Sequence, residues 1–274
     1  MKISVLVENT ALSPEFACEH GLSLFVETDQ HSILFDAGTG ATLCDNAAAM
    51  DIDLSCVTLA VLSHGHYDHG GGLVPFFACN ETAPVYLSAH AFGDYGFKQE
   101  DDTLLYIGLD PALAASGRIR YVNQQLDLAE GLMIFSGVTG DYPRPSGNSR
   151  LYMRTDRGQL PDDFRHEQNL LLSAHGKSVL LAGCAHSGIV NILEHCHRLC
   201  GTYPDVVVGG FHLIDRDNDA KDLAELEMLA RRLLQSGAMF YTCHCIGRPA
   251  YEHLHHIMGD RIAYLAAGAQ LTLS

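Results

Sequence analysis

Short apolar runs separated by turn residues dominate the first third of the chain. Residues 3–7, 23–27, 32–35 and 57–62 are built around Val, Ile, Leu and Phe. They are too short for buried helices and have the length of strands in a covered sheet. Asp36-Ala37-Gly38 closes the third run and Ser63-His64-Gly65 the fourth, turn chemistry that ends a strand. A helix is predicted over 41–50, stopping at Asp51, a short one over 73–79 after the glycines at 70 to 72, and another strand over 84–87. Residues 91–117, with Gly93, Gly96, the acidic stretch 100–102 and Pro111, keep neither period and are read as an irregular insertion or lid.

The second half repeats this grammar. Strands are predicted at 131–136, 169–173 and 178–181, then a helix over about 188–200 whose apolar face is Ile189, Ile192, Leu193, Cys196 and Leu199 and whose stop is Gly201. A strand at 205–208 leads through Gly209-Gly210-Phe211-His212 to a helix over about 220–235 bearing Leu223, Leu226, Leu229 and Leu233. The last unit is a strand at 239–242, Cys243-His244-Cys245, a helix opened by Pro249 and a strand at 262–265. No low-complexity linker or fixed-period repeat interrupts the series, so 1–274 reads as a single α/β domain in two similar halves. Polar clusters at strand ends are where such folds place their sites.

At 274 residues and 47% hydrophobic, the chain has ample material for a core, and disordered or fibrous classes are excluded. No apolar run approaches the roughly 20 residues that span a bilayer, and residues 1–2 lead straight into a strand, so a cytoplasmic protein is expected. Seventeen Lys and Arg against 33 Asp and Glu give a net charge of −16, which repels phosphate backbones and anionic lipid surfaces; neither nucleic acid nor membrane is an expected partner. The nine cysteines show no C-x-x-C pair and no even framework, so they are expected to be mostly buried, reduced thiols. Sixteen histidines are the informative excess, because imidazole is the commonest metal ligand.

Their sharpest arrangement is Ser63-His64-Gly65-His66-Tyr67-Asp68-His69-Gly70-Gly71-Gly72. His64 and His66 can aim at one cation, while Asp68 and His69 diverge on a turn and can reach a second. This H-x-H-x-D-H string after an apolar strand resembles the signature of the metallo-β-lactamase superfamily. Further pieces resemble, in order, the branch of that superfamily named for dihydropterin-ribofuranosylaminobenzene 5′-phosphate synthase: residues 7–9, 20–23, 34–38, 53–55, 183–191, 209–213 and 243–247.

The resemblance implies an αββα sandwich, two mixed β-sheets flanked by helices, with a metal cleft at one edge. It implies that His186 completes a first site with His64 and His66, and that His244 joins Asp68 and His69 in a second. Two divalent metal ions are implied, zinc foremost, with manganese or iron also accepted by a His/Asp set. Where many members carry Gly-Asp with a bridging carboxylate, this chain has Gly183-Cys184; Cys184 is either a thiolate ligand or a buried thiol beside the site. Where the branch often has an acidic residue, this chain has His166, either a contact to substrate or ligands or a surface histidine before a strand.

His212, after two glycines, suits contact with an anion or a reacting oxygen, or simply shapes a turn. Arg144 matches a Pro-Arg of the branch and is a candidate cation for a substrate phosphate or carboxylate. Asp36 either braces the histidine loop or caps its own turn. His195, His197, His253, His255 and His256 are read as solvated surface. The expected activity is hydrolysis of a phosphate ester or related small anionic substrate by a water held between two metals, with Asp68 and His212 as catalytic groups. Two alternatives stand beside it: a transferase joining a dihydropterin diphosphate to an arylamine, and a metal-binding protein without turnover.

Overall fold

The computed structural model describes residues 1–214 and 223–273. Two seven-stranded sheets lie face to face. The first runs Gln270–Thr272, Lys2–Val7, Ser23–Glu27, Ser32–Phe35, Leu59–Val61, Val85–Ser88 and Ile119–Val122. The second runs Ile262–Tyr264, Met239–Thr242, Val206–Gly209, Lys177–Ala182, Gln168–Ala174, Leu132–Ser136 and Gln125–Ala129. Each is antiparallel at one side and parallel at the other: Ser32–Phe35 through Ile119–Val122 pair parallel, as do Lys177–Ala182 through Ile262–Tyr264.

Burial on both faces explains why the strands read as continuous apolar runs. Ile3, Val5, Val179, Leu181, Val206 and Val208 point between the sheets. Their neighbours Leu6, Leu180, Ala182 and Val207 point outward under helices, the period of two that a pleated strand imposes. Helices Thr42–Ala49 and Leu73–Cys79 cover the first sheet through Leu43, Ala47, Leu73 and Phe76. Ile189–Cys200, Leu223–Gln235 and Arg248–Met258 cover the second. Each fully buried Val, Leu or Phe contributes about 1.5–3 kcal/mol. The architecture is the αββα sandwich with mixed sheets.

The structure also departs from the sequence reading. Residues 91–117 are not irregular: Tyr95–Lys98 and Leu104–Tyr106 join Leu151–Thr155 and Gly158–Pro161 in a third, four-stranded sheet. Its strands are short and largely exposed, so no alternation marks them. The edge strand Gln125–Ala129 does alternate, with Leu126 and Leu128 packed against the core, but spans only five residues, and Gln270–Thr272 spans three. Leu199 is 41% exposed and lies outside the core face of its helix. The start of the 220–235 helix lies outside the described residues. Only four cysteines are buried, fewer than expected; Cys44 is half-buried and Cys18, Cys56, Cys79 and Cys200 are exposed, all as free thiols.

One polar side chain satisfies the irregular end of the Lys2–Val7 strand. The register of Lys2–Val7 slips between Val5 and Val7. There Asn46 Nδ2 donates to the Leu6 carbonyl at 2.6 Å and the Ala17 carbonyl at 2.8 Å, and its Oδ1 accepts from the Ala17 N–H at 2.9 Å. Asn46→Ala leaves the buried Leu6 carbonyl unpaired, and stability is expected to fall by about 1–3 kcal/mol. A lowered urea midpoint at unchanged slope checks this.

Candidate metal centre

The loops that leave the carboxyl ends of adjacent strands converge at one edge of the sandwich. Asp36 follows Ser32–Phe35, the histidine motif follows Leu59–Val61, His186 follows Lys177–Ala182, His212 follows Val206–Gly209 and His244 follows Met239–Thr242. One helical turn, Tyr67–Gly70, carries Asp68 and His69. A Cβ on Gly72 would overlap the Ala37 carbonyl, so the loop packs this tightly only with glycine there. Asp36, Ala185, His212 and His244 all hold φ between 48° and 60°. Left-handed backbone at four non-glycine positions is strain that surrounding contacts must sustain, and it collects here.

His64, His66, Asp68, His69, His186 and His244 are all buried. His64 Nε2 lies 3.3 Å from His186 Nε2, and donor atoms of His64, His66 and His186 all fall within 4.8 Å of one another. His69 Nε2 lies 3.2 Å from His244 Nε2, with Asp68 Oδ2 at 3.7 and 3.4 Å from them. The His64 and His69 rings are 4.1 Å apart, so the two sets adjoin.

Behind the donors stands a layer of partners that fixes ring orientation. Asp36 Oδ2 takes His69 Nδ1 at 2.7 Å and the Ser63 hydroxyl at 2.7 Å, and Ser63 Oγ lies 2.9 Å from His64 Nδ1. Asn148 Oδ1 is 2.9 Å from His186 Nδ1, and Asn9 Oδ1 is 2.8 Å from His244 Nδ1. Glu167 accepts the His186 and Ser187 N–H groups, and Glu8 accepts the His244 N–H and the Tyr264 hydroxyl. His166 is fully buried, not superficial: its Nδ1 accepts the Gly65 N–H at 3.0 Å and its Nε2 meets Asp162 Oδ2 at 3.1 Å. Asp162 Oδ2 also lies 3.9 Å from His66 Nε2. If His64, His66 and His186 hold a cation, Asp162→Asn, acting chiefly through His166, is expected to weaken its binding about 10–100-fold, read by chelator competition, with the fold retained.

Burial sets the charges. His64 and His186 are held well below the usual imidazole range by desolvation and then by neighbouring rings, and desolvation brings His66 down to about 4 despite Asp162. These three are therefore neutral at pH 7, the form that binds metal. His69 is the opposite case: burial disfavours its charge, but Asp36 and Asp68 outweigh it and lift the ring to about 9. Burial also works against the Asp68 carboxylate, yet His69, His20 and His244 hold it well below the usual range. Asp162 is likewise lowered, against its burial, by His166 and His66.

The donors fit divalent cations. Neutral imidazoles crowd nitrogen to nitrogen, buried His66 Nε2 has no hydrogen-bond partner among the described residues, and a carboxylate lies beside the second set. Asp68, His66, His186, His212, Cys184 and His244 open into a cavity of about 340 Å³, whose far wall is Phe97, Leu105, Ile107 and Arg150. That wall belongs to the third sheet and the residues flanking its strands; the Ile107 carbonyl, just past Leu104–Tyr106, accepts the Tyr67 N–H at 2.9 Å. His212 reaches the cavity with its ring 4.2 Å from His186 and its buried Nδ1 without a partner among the described residues.

Arg144 is not brought into this cleft. It is exposed and borders a separate cavity with Tyr142, Gly188 and Phe211. Sequence reasoning missed Asp162, Asn148, Glu8, Glu167 and His20, whose Nε2 lies 3.3 Å from Asp68 Oδ2. Among the helix histidines, His255 and His256 are exposed, whereas His195 stacks on Phe135 and His197 on Tyr203.

Facing sheets, helices outside and a braced histidine and aspartate cluster at one edge define a class: an αββα scaffold built around a metal-binding cleft. The profile of the metallo-beta-lactamase superfamily matches residues 17–233. The chain belongs to the metallo-β-lactamase superfamily. An uncharacterized protein of Methanocaldococcus jannaschii is 30% identical over 220 residues, 77% of this chain and 79% of its own length. The same organism's 7,8-dihydropterin-6-methyl-4-(beta-D-ribofuranosyl)-aminobenzene-5'-phosphate synthase is 26% identical over 265 residues, 90% of this chain and 88% of its own. The crystal structure of Tm1679, called a metal-dependent hydrolase of the beta-lactamase superfamily, superposes with a TM-score of 0.85 at 26% identity, covering 100% of this chain and 99% of that one. No helix among the described residues is long and apolar enough to cross a membrane.

Proposed function

We propose that this protein is a hydrolase that uses two divalent cations, zinc foremost, on a phosphate ester or related small anionic substrate. The observation that carries the reading is the pair of adjoining donor sets, each braced from behind, opening into one cavity. His64, His66 and His186 would hold one cation and Asp68, His69 and His244 the other. When bound, such cations supply Lewis acidity and lower the pKa of water from 15.7 to about 7.

The chain's own residues do the rest. Asp68 Oδ2, at the cavity floor, accepts a hydrogen bond from the attacking water and so orients its lone pair towards substrate. The His212 ring, beside His186 in the cavity lining, is placed to contact a reacting oxygen. We assign the substrate's anionic group to Arg150, in place of Arg144, because Arg150 stands in the cleft wall with its guanidinium 4.6 Å above the Phe97 ring. A local cation of this kind offsets the −16 net charge where the substrate enters.

The likeness to the synthase along 90% of the chain supports a second reading, in which the same cleft joins a dihydropterin diphosphate to an arylamine with loss of diphosphate. A metal-replete panel of phosphodiesters, phosphomonoesters, lactones and thioesters, with the pterin diphosphate and arylamine phosphate as a further pair, separates the two. Turnover of an ester that falls at least about 100-fold in His66→Ala is the expected result. Formation of the coupled product without hydrolysis favours the transferase. No turnover above the His66→Ala control in any arm leaves a metal-binding protein without catalysis.

A further inference from the structure

Two sulfurs stand at the centre of the cluster. Cys184 Sγ lies 3.2 Å from His69 Nε2. It forms groups with all donor atoms within 4.8 Å of one another with His64 and His69, with His186 and His212, and with His244 and Cys245. One sulfur is therefore in reach of ligands from both donor sets. Cys245 Sγ sits beside it, accepting the His212 N–H at 3.3 Å and lying 3.6 Å from the Cys184 carbonyl. A Cβ on Gly210 would overlap that sulfur, so the glycine leaves the room it occupies.

The other buried cysteines show what a passive thiol looks like here. Cys196 packs among aliphatic side chains under the helices of the second sheet, and Cys243 sits in the apolar core between the sheets. Cys184 and Cys245 belong to neither cluster and instead meet imidazole nitrogens, a peptide N–H and each other.

We propose that Cys184 is a metal ligand, a thiolate placed between the two histidine sets, with the Cys245 thiol beside it directed at the Cys184 carbonyl. The inference rests on the reading of this cluster as a metal centre. On cation binding the Cys184 S–H proton passes to solvent and a sulfur lone pair enters the coordination sphere; no electrons are transferred. A thiolate shifts preference towards softer ions, so zinc or cobalt is favoured over manganese or magnesium.

The test loads the full chain with Co(II) under reducing conditions and records the absorption spectrum. The wild type is expected to show a sulfur-to-cobalt charge-transfer band in the near ultraviolet together with visible d–d bands. Cys184→Ser is expected to lose the charge-transfer band, keep the d–d bands and bind cobalt about 10-fold or more weakly by chelator competition; Cys245→Ser keeps the band. If Cys184→Ser proves unfolded by circular dichroism, alkylation of the wild type decides: Cys184 must react in chelator-treated protein and be protected after zinc loading. A wild type with d–d bands but no sulfur band overturns this inference and leaves the metal centre standing. So does a band that survives in Cys184→Ser or disappears only in Cys245→Ser, and so does alkylation of Cys184 indifferent to zinc. Failure to bind cobalt at all overturns both readings.

Discussion

Asp68→Ala is expected to cut turnover of the best substrate in the panel by about 10³-fold or more, while the circular dichroism spectrum stays native. Asp68 Oδ2 lies 3.3 to 3.7 Å from His20, His69 and His244, so one carboxylate is shared by three imidazoles and faces the cavity. On the proposed reading its loss removes a ligand, for which a factor of about 10–100 in metal affinity is ordinary. In the proposed mechanism it also removes the group that orients the attacking water, for which about 10²–10⁴ in rate is ordinary. Asp68→Asn keeps the shape and loses only the charge, so comparing the two variants separates packing from electrostatics. Full metal content with full turnover in Asp68→Ala would refute the role assigned to this residue.

Asp36→Ala is expected to be the most damaging change to the scaffold of the site. Its carboxylate is 1% exposed and accepts the Ser63 N–H at 2.6 Å, the Ser63 hydroxyl at 2.7 Å and His69 Nδ1 at 2.7 Å. Removing one member of a buried pair leaves the other uncompensated, at a cost of about 3–5 kcal/mol. Because Ser63 and His69 bracket the motif, the same change should release His64 and His69 from their orientations and lower metal content. Chemical denaturation with and without zinc measures both effects. A variant within about 1 kcal/mol of wild type that retains both metals would show that Asp36 only caps its own turn.

The parts of this protein legible in its sequence are those governed by one strong rule. Strands covered on both faces read as apolar runs, and helices Ile189–Cys200 and Arg248–Met258 announced themselves by spacing and by Gly201 and Pro249. His64, His66, Asp68 and His69 were legible because four donors fall within six residues. His186 and His244 came from the family pattern, since a single histidine after a strand carries no spacing signal. The bracing residues were hidden for a different reason. Asp162 meets His66 across 96 positions of sequence, and Asn9 meets His244 across 235; only the fold makes such pairs neighbours. Cleft-wall residues such as Leu105 sit on strands too short and exposed to display a period.

The way Glu8 and Asn9 grip His244 bears on how the molecule is made. A nascent chain emerges from its amino end, so His64, His66 and His186 are all available while the segment bearing His244 is still being synthesised. Glu8 and Asn9 must then wait for partners almost a whole chain length away, contacts with a high closure cost. The three-histidine half of the cleft is expected to be competent to take a cation before the segment bearing His244 has emerged, and the aspartate-bearing half only afterwards. Arrested chains of increasing length, probed for zinc uptake, would reveal two separate steps in the order in which the halves are synthesised.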